Sequence, residues 1–296
     1  MINSCYNSFG ISVITVTLNE INNLKSTIIS VQNFINHNKN VQIEHVVIDG
    51  NSKDGTKEYL AEVSKGSTIK YISEPDAGIF DAMNKGMALL KQTIQVHEDY
   101  YVWFLNSGDI ANYIDLDAIG NDMDILFFCS RQTSLYSKHL NTIRPDFKND
   151  DADFGEWLKY NAPVHQAVLF SSRLNDQVIY NTAFRNQADT KLIYEMAATH
   201  SFSFYNQVLC YFELGGNSGN YTNYNKVITQ LWEDLYIRNL LTKRSFGFFY
   251  LQVFIFHSKF ILNRLMGKKL FHYFHLIILQ AKYFVQRQLY SRSSKS

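Results

Sequence analysis

The sequence of 296 residues contains 28 basic and 27 acidic side chains, and this formal net charge of +1 excludes a global attraction to nucleic acid. Hydrophobic residues make up 46% and charged residues 19%, so the chain is globular and can form one large domain with an appendage, or two domains. Its three cysteines are scattered and odd in number, which argues against a zinc site or structural disulfides. We expect a cytoplasmic protein, and residues 1–10 lack the pattern of a signal peptide.

Apolar runs and amphipathic patterns alternate over residues 11–110. Strands are predicted at Ile11–Thr17, Ile43–Ile48, Ile69–Ile72 and Tyr101–Leu105, with helices through Leu24–Val31, Tyr59–Val63 and Ile79–Leu90 between them. Four strands alternating with three helices are typical of a right-handed, parallel, Rossmann-like half-sheet that binds a nucleotide. Polar residues follow each strand, so we expect them to meet at one edge of the sheet.

The fourth of these strands ends in an abrupt polar turn. Tyr101–Leu105 has no polar alternation, which is typical of a strand buried on both faces. The turn Asn106–Gly108 puts Asp109 beyond the carboxyl end of the strand, where open parallel sheets bind their ligands. The same turn composition also closes strands that have no function, so both interpretations stay open at this point.

The pattern weakens after Ile110. We expect irregular structure up to Pro163, although Ile125–Cys129 is a short apolar piece. Further elements are predicted as a strand at Gln166–Phe170, a helix at Leu192–Ala198, and one interrupted strand or two short strands at Ser201–Leu214. The domain division that we predict is a main domain at 1–225, with halves at 11–110 and 111–225, and a helical region at 226–296.

Residues 11 to about 220 resemble the family 2 glycosyltransferases. The likeness is carried by four blocks in the same order, each at a strand end: Val13–Asn19, Val47–Thr56, Ser73–Gly86 and Phe104–Asp109. The third block together with the Asn-Ser-Gly-Asp ending looks like the subgroup that builds bacterial surface polysaccharides, of the colanic acid type. The resemblance implies an α/β, A-type glycosyltransferase fold, with a mostly parallel sheet flanked by helices. It also implies a hexosyltransferase that moves a sugar from a nucleotide diphosphate donor, with UDP favoured.

By this resemblance the nucleotide lies against the ends of the first two strands. An aspartate there can accept a hydrogen bond from the imide N–H of uracil. The role falls to Asp49, with Asn19 and Glu20 lining the same crevice. The alternative for Asp49 is an ordinary Asp-Gly turn residue.

The third block is expected to contact the diphosphate and the donor sugar. The residues concerned are Asp76, Asp81, Asn84 and Lys85. Because Asp81 and Lys85 are four positions apart, the alternative for these two is a solvated ion pair on a helix.

The diphosphate gains negative charge as its bond to the sugar breaks, and a Lewis acid must stabilise that charge. The resemblance implies Mg²⁺ or Mn²⁺ in this role. Such an ion takes one or two protein carboxylates together with phosphate oxygens and water, so Asp109 is the predicted metal ligand. The usual Asp-x-Asp motif is replaced here by Asn106, Ser107 and Gly108 before Asp109. Asn106 is therefore assigned to the nucleotide-sugar site.

The acceptor hydroxyl must lose its proton as it attacks, which requires a general base. Asp189 matches the late acidic position of the family, and the alternative is that it caps a helix. His165 and Gln166 are predicted to lie on the acceptor side. A core histidine is the alternative for His165.

The helical region after Lys226 combines aromatic residues with basic ones. Its longest apolar run, Phe246–Phe256, is shorter than the ~20 residues that span a bilayer. We expect interfacial helices that hold the protein on the inner face of the cell membrane. The alternatives are that these helices pack on the main domain or form a homodimer interface.

The sequence thus predicts a metal-dependent, inverting glycosyltransferase that acts on a lipid-linked or polysaccharide acceptor. One rival is a sugar nucleotidyltransferase, but that class is expected to carry a glycine-rich basic loop after the first strand, where this chain has Leu18–Asn23. A second rival is a non-catalytic membrane scaffold that has lost its metal site through Asn106 and Gly108.

Overall fold

The protein is described here by a computed structural model. It describes residues 9–93, 99–120, 122–134, 137–145, 151–158, 161–214 and 224–242, together with short helical pieces between 253 and 266. The first half contains β1 (Gly10–Thr17), α1 (Ile21–His37), β2 (Ile43–Asp49), α2 (Thr56–Val63), β3 (Ile69–Ser73), α3 (Ile79–Thr93) and β4 (Tyr100–Phe104). These four strands and three helices were all predicted, and their alternation is confirmed.

The second half is richer in strands. It contains β5 (Ile110–Ala111), β6 (Ile125–Ser134), β7 (Ser137–Arg144), α4 (Asp151–Leu158), β8 (Val168–Ser171), α5 (Ala188–Thr199), β9 (Phe202–Leu214) and α6 (Tyr224–Thr242). Short 3₁₀ helices lie at Leu116–Ala118, His165–Ala167 and Ser172–Leu174. The expectation of irregular structure up to Pro163 was wrong, because β6 continues well beyond its apolar start and pairs with β7 as an antiparallel hairpin.

The strands of the described residues form one mixed sheet in the order β3-β2-β1-β4-β8-β6-β9-β5, with β7 on the far end of β6. Strands β1 to β4 are parallel, and β8 is antiparallel to both β4 and β6. Strand β9 is a single strand parallel to β6, with register shifts on either side of Cys129. The sequence left two short strands or one interrupted strand open at this place, and the structure has one continuous strand, Phe202–Leu214, whose pairing with β6 is irregular.

Strand β4 lies at the centre of the sheet and is buried on both faces, as its composition predicted. Val102 and Phe104 belong to the apolar cluster beneath α3. Tyr101 and Trp103 point to the other face, where the Trp103 ring lies 5.4 Å from the ring of Phe34 on α1. Two helical layers thus hold β4, and its carboxyl end is a fixed platform for the turn that follows.

Helix α6 packs against the second half of the protein. It buries Leu231, Leu235 and Ile237, and the ring of Tyr236 lies 5.7 Å from the ring of Phe184. At least this part of the predicted C-terminal region is therefore attached to the main domain, which was the alternative to a membrane-facing role. Within the described ranges, no helix is both long enough and apolar enough to cross a membrane.

Candidate active site

The loops after β1 and β2 are locked to each other. The Asn19 side chain accepts from the Lys53 N–H (2.7 Å), and the Asn19 N–H donates to the Ser52 hydroxyl (2.7 Å). Asn19 has a φ of 53°, a left-handed conformation that asparagine tolerates better than most residues. Glu20 is exposed beside it, so the predicted crevice-lining pair does lie at the carboxyl edge of the sheet.

Asp49 lies beneath this loop rather than on its surface. Its side chain is fully buried and accepts from the Ser73 hydroxyl (2.6 Å) and from both the N–H (3.2 Å) and the hydroxyl of Ser52. These contacts make Asp49 an anchor for the loop, and its oxygens would reach a base only if one of the two serines exchanged its bond. The predicted contact with uracil stays a prediction.

The third predicted block forms a charged loop above β3. Asp76 accepts from the Gly78 N–H (2.8 Å), and its other oxygen comes so close to Gly50 that a Cβ there would lie 2.4 Å away. Lys85 pairs with Glu74 (2.7 Å) and lies 3.8 Å from Asp81. The bond to Glu74 is the main reason that the pKa of Lys85 is raised above its usual value.

These contacts decide how the block can act. The ion pair between Asp81 and Lys85, which was the alternative interpretation, is present, and Asp81 also accepts from the Ala77 N–H (2.9 Å). Lys85 donates in addition to the Pro75 carbonyl (2.6 Å). The ammonium therefore holds the loop closed in this structure, and the predicted contact with a diphosphate would require it to exchange partners.

Asn84 joins the two halves of the protein. Its amide donates to the Tyr180 carbonyl (2.9 Å) and accepts from the Tyr180 N–H (2.8 Å). Both polar ends of the side chain are thus used by one backbone residue. Asn84 positions Tyr180, and its predicted contact with the donor stays a prediction.

The turn after β4 is held by α1. Thr27 accepts from the Gly108 N–H (2.9 Å) and donates to the Asp109 carbonyl (2.8 Å). Gly108 has a φ of 96°, which only glycine adopts readily. The Asp109 carboxylate is 6% exposed and accepts from the Gln166 amide (2.9 Å). The structure therefore brings together the predicted metal ligand and one predicted acceptor-side residue.

The same turn carries buried oxygens that have no hydrogen-bond partner. They are Asn106 Oδ1 and Ser107 Oγ, and Thr17 Oγ1 at the end of β1 is a third. Buried polar atoms are nearly always satisfied, so orphaned oxygens beside a carboxylate indicate a place for a ligand. Oxygen donors suit Mg²⁺ or Mn²⁺, which need only one or two protein ligands when phosphate and water complete the shell. Within the described residues no group of three or more His, Cys, Asp or Glu side chains could hold a metal ion.

His165 is buried and 4% exposed, in contrast to the cleft position expected for it. Its Nε2 bonds to the Tyr180 hydroxyl (2.5 Å), and its ring lies 5.2 Å from the ring of Phe104. Burial lowers its pKa to about 3, so the imidazole is neutral at physiological pH. The structure thus agrees with the core-histidine alternative. His165 would act on an acceptor only indirectly, by holding the Tyr180 hydroxyl.

Asp189 lies in the first turn of α5. The N-cap position belongs to Gln187, which makes no side-chain hydrogen bond, whereas the Asp189 side chain accepts from an N–H of the first turn, so the capping alternative stays open beside the role of base. Its Oδ1 accepts from the Thr190 N–H (2.7 Å) and the side chain is half-buried. Burial raises the pKa of Asp189 to about 6 despite this hydrogen bond, with the charge of Glu233 adding to the rise. A carboxylate poised this close to neutrality is suited to accept a proton.

The comparison with protein families bears on the first half. Residues 12–116 match the family model "Glycosyl transferase family 2". This match to family 2 covers about a third of the chain. The chain is also 37% identical over 99 residues to an uncharacterized glycosyltransferase of Mycobacterium tuberculosis, found in strains H37Rv and CDC 1551. The match spans 33% of this chain and only 34% of the length of those curated relatives.

Solved structures extend the likeness beyond the family 2 domain. TarS of S. aureus in complex with UDP-GlcNAc superposes with a TM-score of 0.53 at 12% identity, over 88% of this chain and 73% of that one. The mannosyltransferase PcManGT of Pyrobaculum calidifontis, in complex with GDP-Man and Mn²⁺, gives 0.51 at 14% identity, over 76% and 61%. At such identities the likeness concerns the fold, and it confirms the predicted α/β, A-type glycosyltransferase architecture.

The match to the family model ends before half of the candidate site begins. Asp109 lies inside it, whereas Gln166, Tyr180 and Asp189 follow it in the chain. Sequence reasoning missed Tyr180, because a single tyrosine in a loop carries no periodic or motif signal. It also did not single out Glu233, because one acidic residue in a helical pattern carries no motif signal.

Proposed function

We propose that the protein is a glycosyltransferase that moves a sugar from a nucleoside diphosphate sugar to an acceptor hydroxyl. One observation supports the proposal: a chain of contacts through the neighbours Gln166 and His165 leads from Asp109 to Tyr180, on which the charge of Asp189 acts. Gln166 donates to Asp109, while His165 bonds to Tyr180, whose pKa is raised by burial and by the charge of Asp189. The family 2 domain favours this function over a sugar nucleotidyltransferase.

Asp109 serves the donor side. Together with the orphaned Asn106 oxygen it would hold Mg²⁺ or Mn²⁺, which supplies a Lewis acid for the diphosphate when bound. UDP is the preferred nucleotide of the proposal, since TarS binds UDP and UDP-GlcNAc, and GDP is the alternative, since PcManGT binds GDP-Man. The loops that carry Asn19, Glu20 and Asp76 would line the donor crevice.

Asp189 serves the acceptor side as the general base. With a pKa of about 6 it is ionised at neutral pH, yet it takes up a proton more readily than an ordinary carboxylate. Removal of the hydroxyl proton lets the oxygen attack the anomeric carbon on the face opposite the diphosphate. A single displacement of this kind inverts the configuration of that carbon.

The acceptor of the proposal is a lipid-linked or polysaccharide hydroxyl at the inner membrane surface, as for enzymes of surface-polysaccharide synthesis. The short helical pieces after 253 expose Phe254, Ile261 and Leu265, which supports an apolar contact surface in this region. Most of residues 243–296 lie outside the described residues. If the region binds anionic membranes, co-sedimentation with vesicles rich in anionic lipid should weaken with added salt. Equal co-sedimentation of a variant that ends at Thr242 would contradict the assignment.

The activity is tested by a thermal-shift screen with UDP- and GDP-sugars, with and without Mn²⁺. A true donor at a hundredfold excess over its Kd should stabilise the protein by ~2.7 kcal/mol, and only in the presence of the metal. Asp109→Ala should lose this response, while Asp176→Ala, which changes an exposed surface carboxylate, should keep it. If no nucleotide sugar stabilises the protein and none is consumed with membrane extract as acceptor, the proposal is wrong.

A further inference from the structure

A carboxylate of the last helix holds the chain just before Asp189. The two oxygens of Glu233 on α6 accept from the consecutive backbone N–H groups of Arg185 (2.7 Å) and Asn186 (2.9 Å). Glu233 is only 9% exposed. Hydrogen bonds to an ionised and largely buried acceptor are about twice as strong as neutral ones, so this contact is a firm anchor.

The anchored pair lies immediately before α5. Helix α5 begins at Ala188, and its cap residue Gln187 makes no side-chain hydrogen bond. The start of the helix therefore depends on what holds residues 185 and 186. The ring contact between Phe184 and Tyr236, one turn farther along α6 than Glu233, supports the same segment from the same helix.

We propose that Glu233 is a positioning residue: it fixes the first turn of α5 and so keeps the Asp189 carboxylate in place to accept the proton of the acceptor. This inference rests on the proposed function, in which Asp189 is the base. It assigns part of the active-site geometry to a helix that lies more than a hundred residues beyond the family 2 domain.

Glu233 also acts on Asp189 through its charge. Burial raises the pKa of Asp189, and the negative charge of Glu233 raises it further. Tyr180 faces Asp189 from the preceding segment, and its own pKa is raised by burial and by the Asp189 charge. On α5 itself, Lys191 is paired with Glu195 (2.5 Å). Removing the charge of Glu233 should therefore lower the pKa of Asp189. Removing the charge of Glu195 acts instead on Lys191, its ion-pair partner.

The test compares Glu233→Gln with the control Glu195→Gln, which removes the same charge from an outer pair. The Asp189 carboxyl is titrated by ¹³C NMR in aspartate-labelled protein, with Asp189→Asn to assign the signal. We expect the pKa of Asp189 to fall below about 6 in Glu233→Gln and to stay near it in Glu195→Gln. Equal titration curves in both variants would overturn the inference.

Transfer kinetics separate positioning from general stability. In Glu233→Gln we expect kcat to fall by ~10- to 100-fold with an unchanged donor KM, and the acid limb of the pH profile to move to lower pH. A loss confined to KM or to thermal stability would contradict a positioning role. If the wild type transfers no sugar at all while the NMR coupling is present, the proposed function fails and the anchor remains.

Hydrogen exchange tests the Glu233 anchor in the wild-type protein, so its result does not depend on whether a variant folds. The amides of Arg185 and Asn186 should exchange at least tenfold more slowly than the amides of the exposed residues 181 and 182, because Glu233 accepts from them. Exchange of all four amides at the same rate would show that the anchor does not persist in solution.

Discussion

The two halves of the protein build the candidate site in different ways. In the first half, side chains at the ends of β1 and β2 bond to neighbours in the adjacent loops, as Asp49 does with Ser52 and Ser73. In the second half, the contacts join distant elements, as Gln166 does with Asp109 and Glu233 with Asn186. Under the proposed function, the first arrangement would preform the donor crevice, while the second would set the position and the basicity of one carboxylate.

Under the proposed function, the two chemical roles lie in different halves of the protein. The turn after β4 leaves buried oxygens without partners beside Asp109, which is suited to a ligand that brings its own charge. Around Asp189, by contrast, the backbone N–H groups of Arg185, Asn186 and Thr190 donate to carboxylates. Burial there raises the pKa of the Asp189 carboxyl. We therefore expect substitutions in the two halves to separate donor binding from proton transfer.

The largest effect is expected at the turn after β4. Asp109→Ala should abolish Mn²⁺-dependent nucleotide binding and lower transfer by ~10³-fold or more, since a metal that stabilises the diphosphate contributes several kcal/mol. Asp176→Ala is the matched control, because it removes a carboxylate that pairs only with Lys91 at the surface. Undiminished transfer in the presence of a chelator would contradict the metal assignment.

Asp189→Asn should spare the donor and stop the chemistry. The amide keeps the shape of the side chain and an oxygen for the Thr190 N–H, but it cannot accept a proton. Transfer should fall by ~10²- to 10⁴-fold with an unchanged donor Kd. The measurement is kcat beside a direct binding titration, and near-wild-type turnover would send the search for the base to another carboxylate.

The same variant should be more stable than the wild type at neutral pH. The folded-state pKa of Asp189 is raised from its ordinary value of 3.8 to about 6, so protonation of this carboxyl favours the folded state. That contribution to the free energy of unfolding is present below pH 4 and is lost as the pH rises through 6. Asp189→Asn escapes this loss and should gain roughly 1–3 kcal/mol above pH 6 and almost nothing below pH 4. Urea unfolding at several pH values measures it, and a gain that does not depend on pH would contradict the raised pKa.

A smaller effect is expected in the donor crevice. Asp49→Ala removes the acceptor that holds Ser52 and Ser73, so the loop should loosen and the donor Kd should rise by about tenfold, or ~1.4 kcal/mol. The value of kcat should change less, because the base of the nucleotide lies far from the bond between sugar and diphosphate that breaks. Asp49→Asn, which keeps one acceptor oxygen, should have a donor Kd between those of the wild type and Asp49→Ala. An unchanged donor Kd in both variants would exclude a donor role for Asp49.

The sequence predicted the first half well because its signals are local. Each strand of β1 to β4 is an unbroken apolar run followed by a polar turn, and the register of a parallel sheet places those turns at one edge. The second half resisted prediction, since polar residues of β6 such as Ser130 and Gln132 are buried only when β9 and β7 pair with that strand.

The site was predictable to the extent that residues stand at strand ends. Asp109 was named in this way, whereas Gln166 was named through the family resemblance, and the structure joins the two side chains. The partners of Asn84 and His165 could not be predicted, because both meet Tyr180 through contacts that depend on the packing of distant segments. Asp189 was named through the family resemblance, and its raised pKa follows from burial that no local pattern shows.

The division of work between Asp109 and Asp189 is tested most directly by calorimetric titration of a nucleoside diphosphate with Mn²⁺ into three proteins. We predict equal binding by the wild type and by Asp189→Asn, and no Mn²⁺-dependent binding by Asp109→Ala. Mn²⁺-dependent binding that survives in Asp109→Ala but is lost in Asp189→Asn would contradict this division of roles.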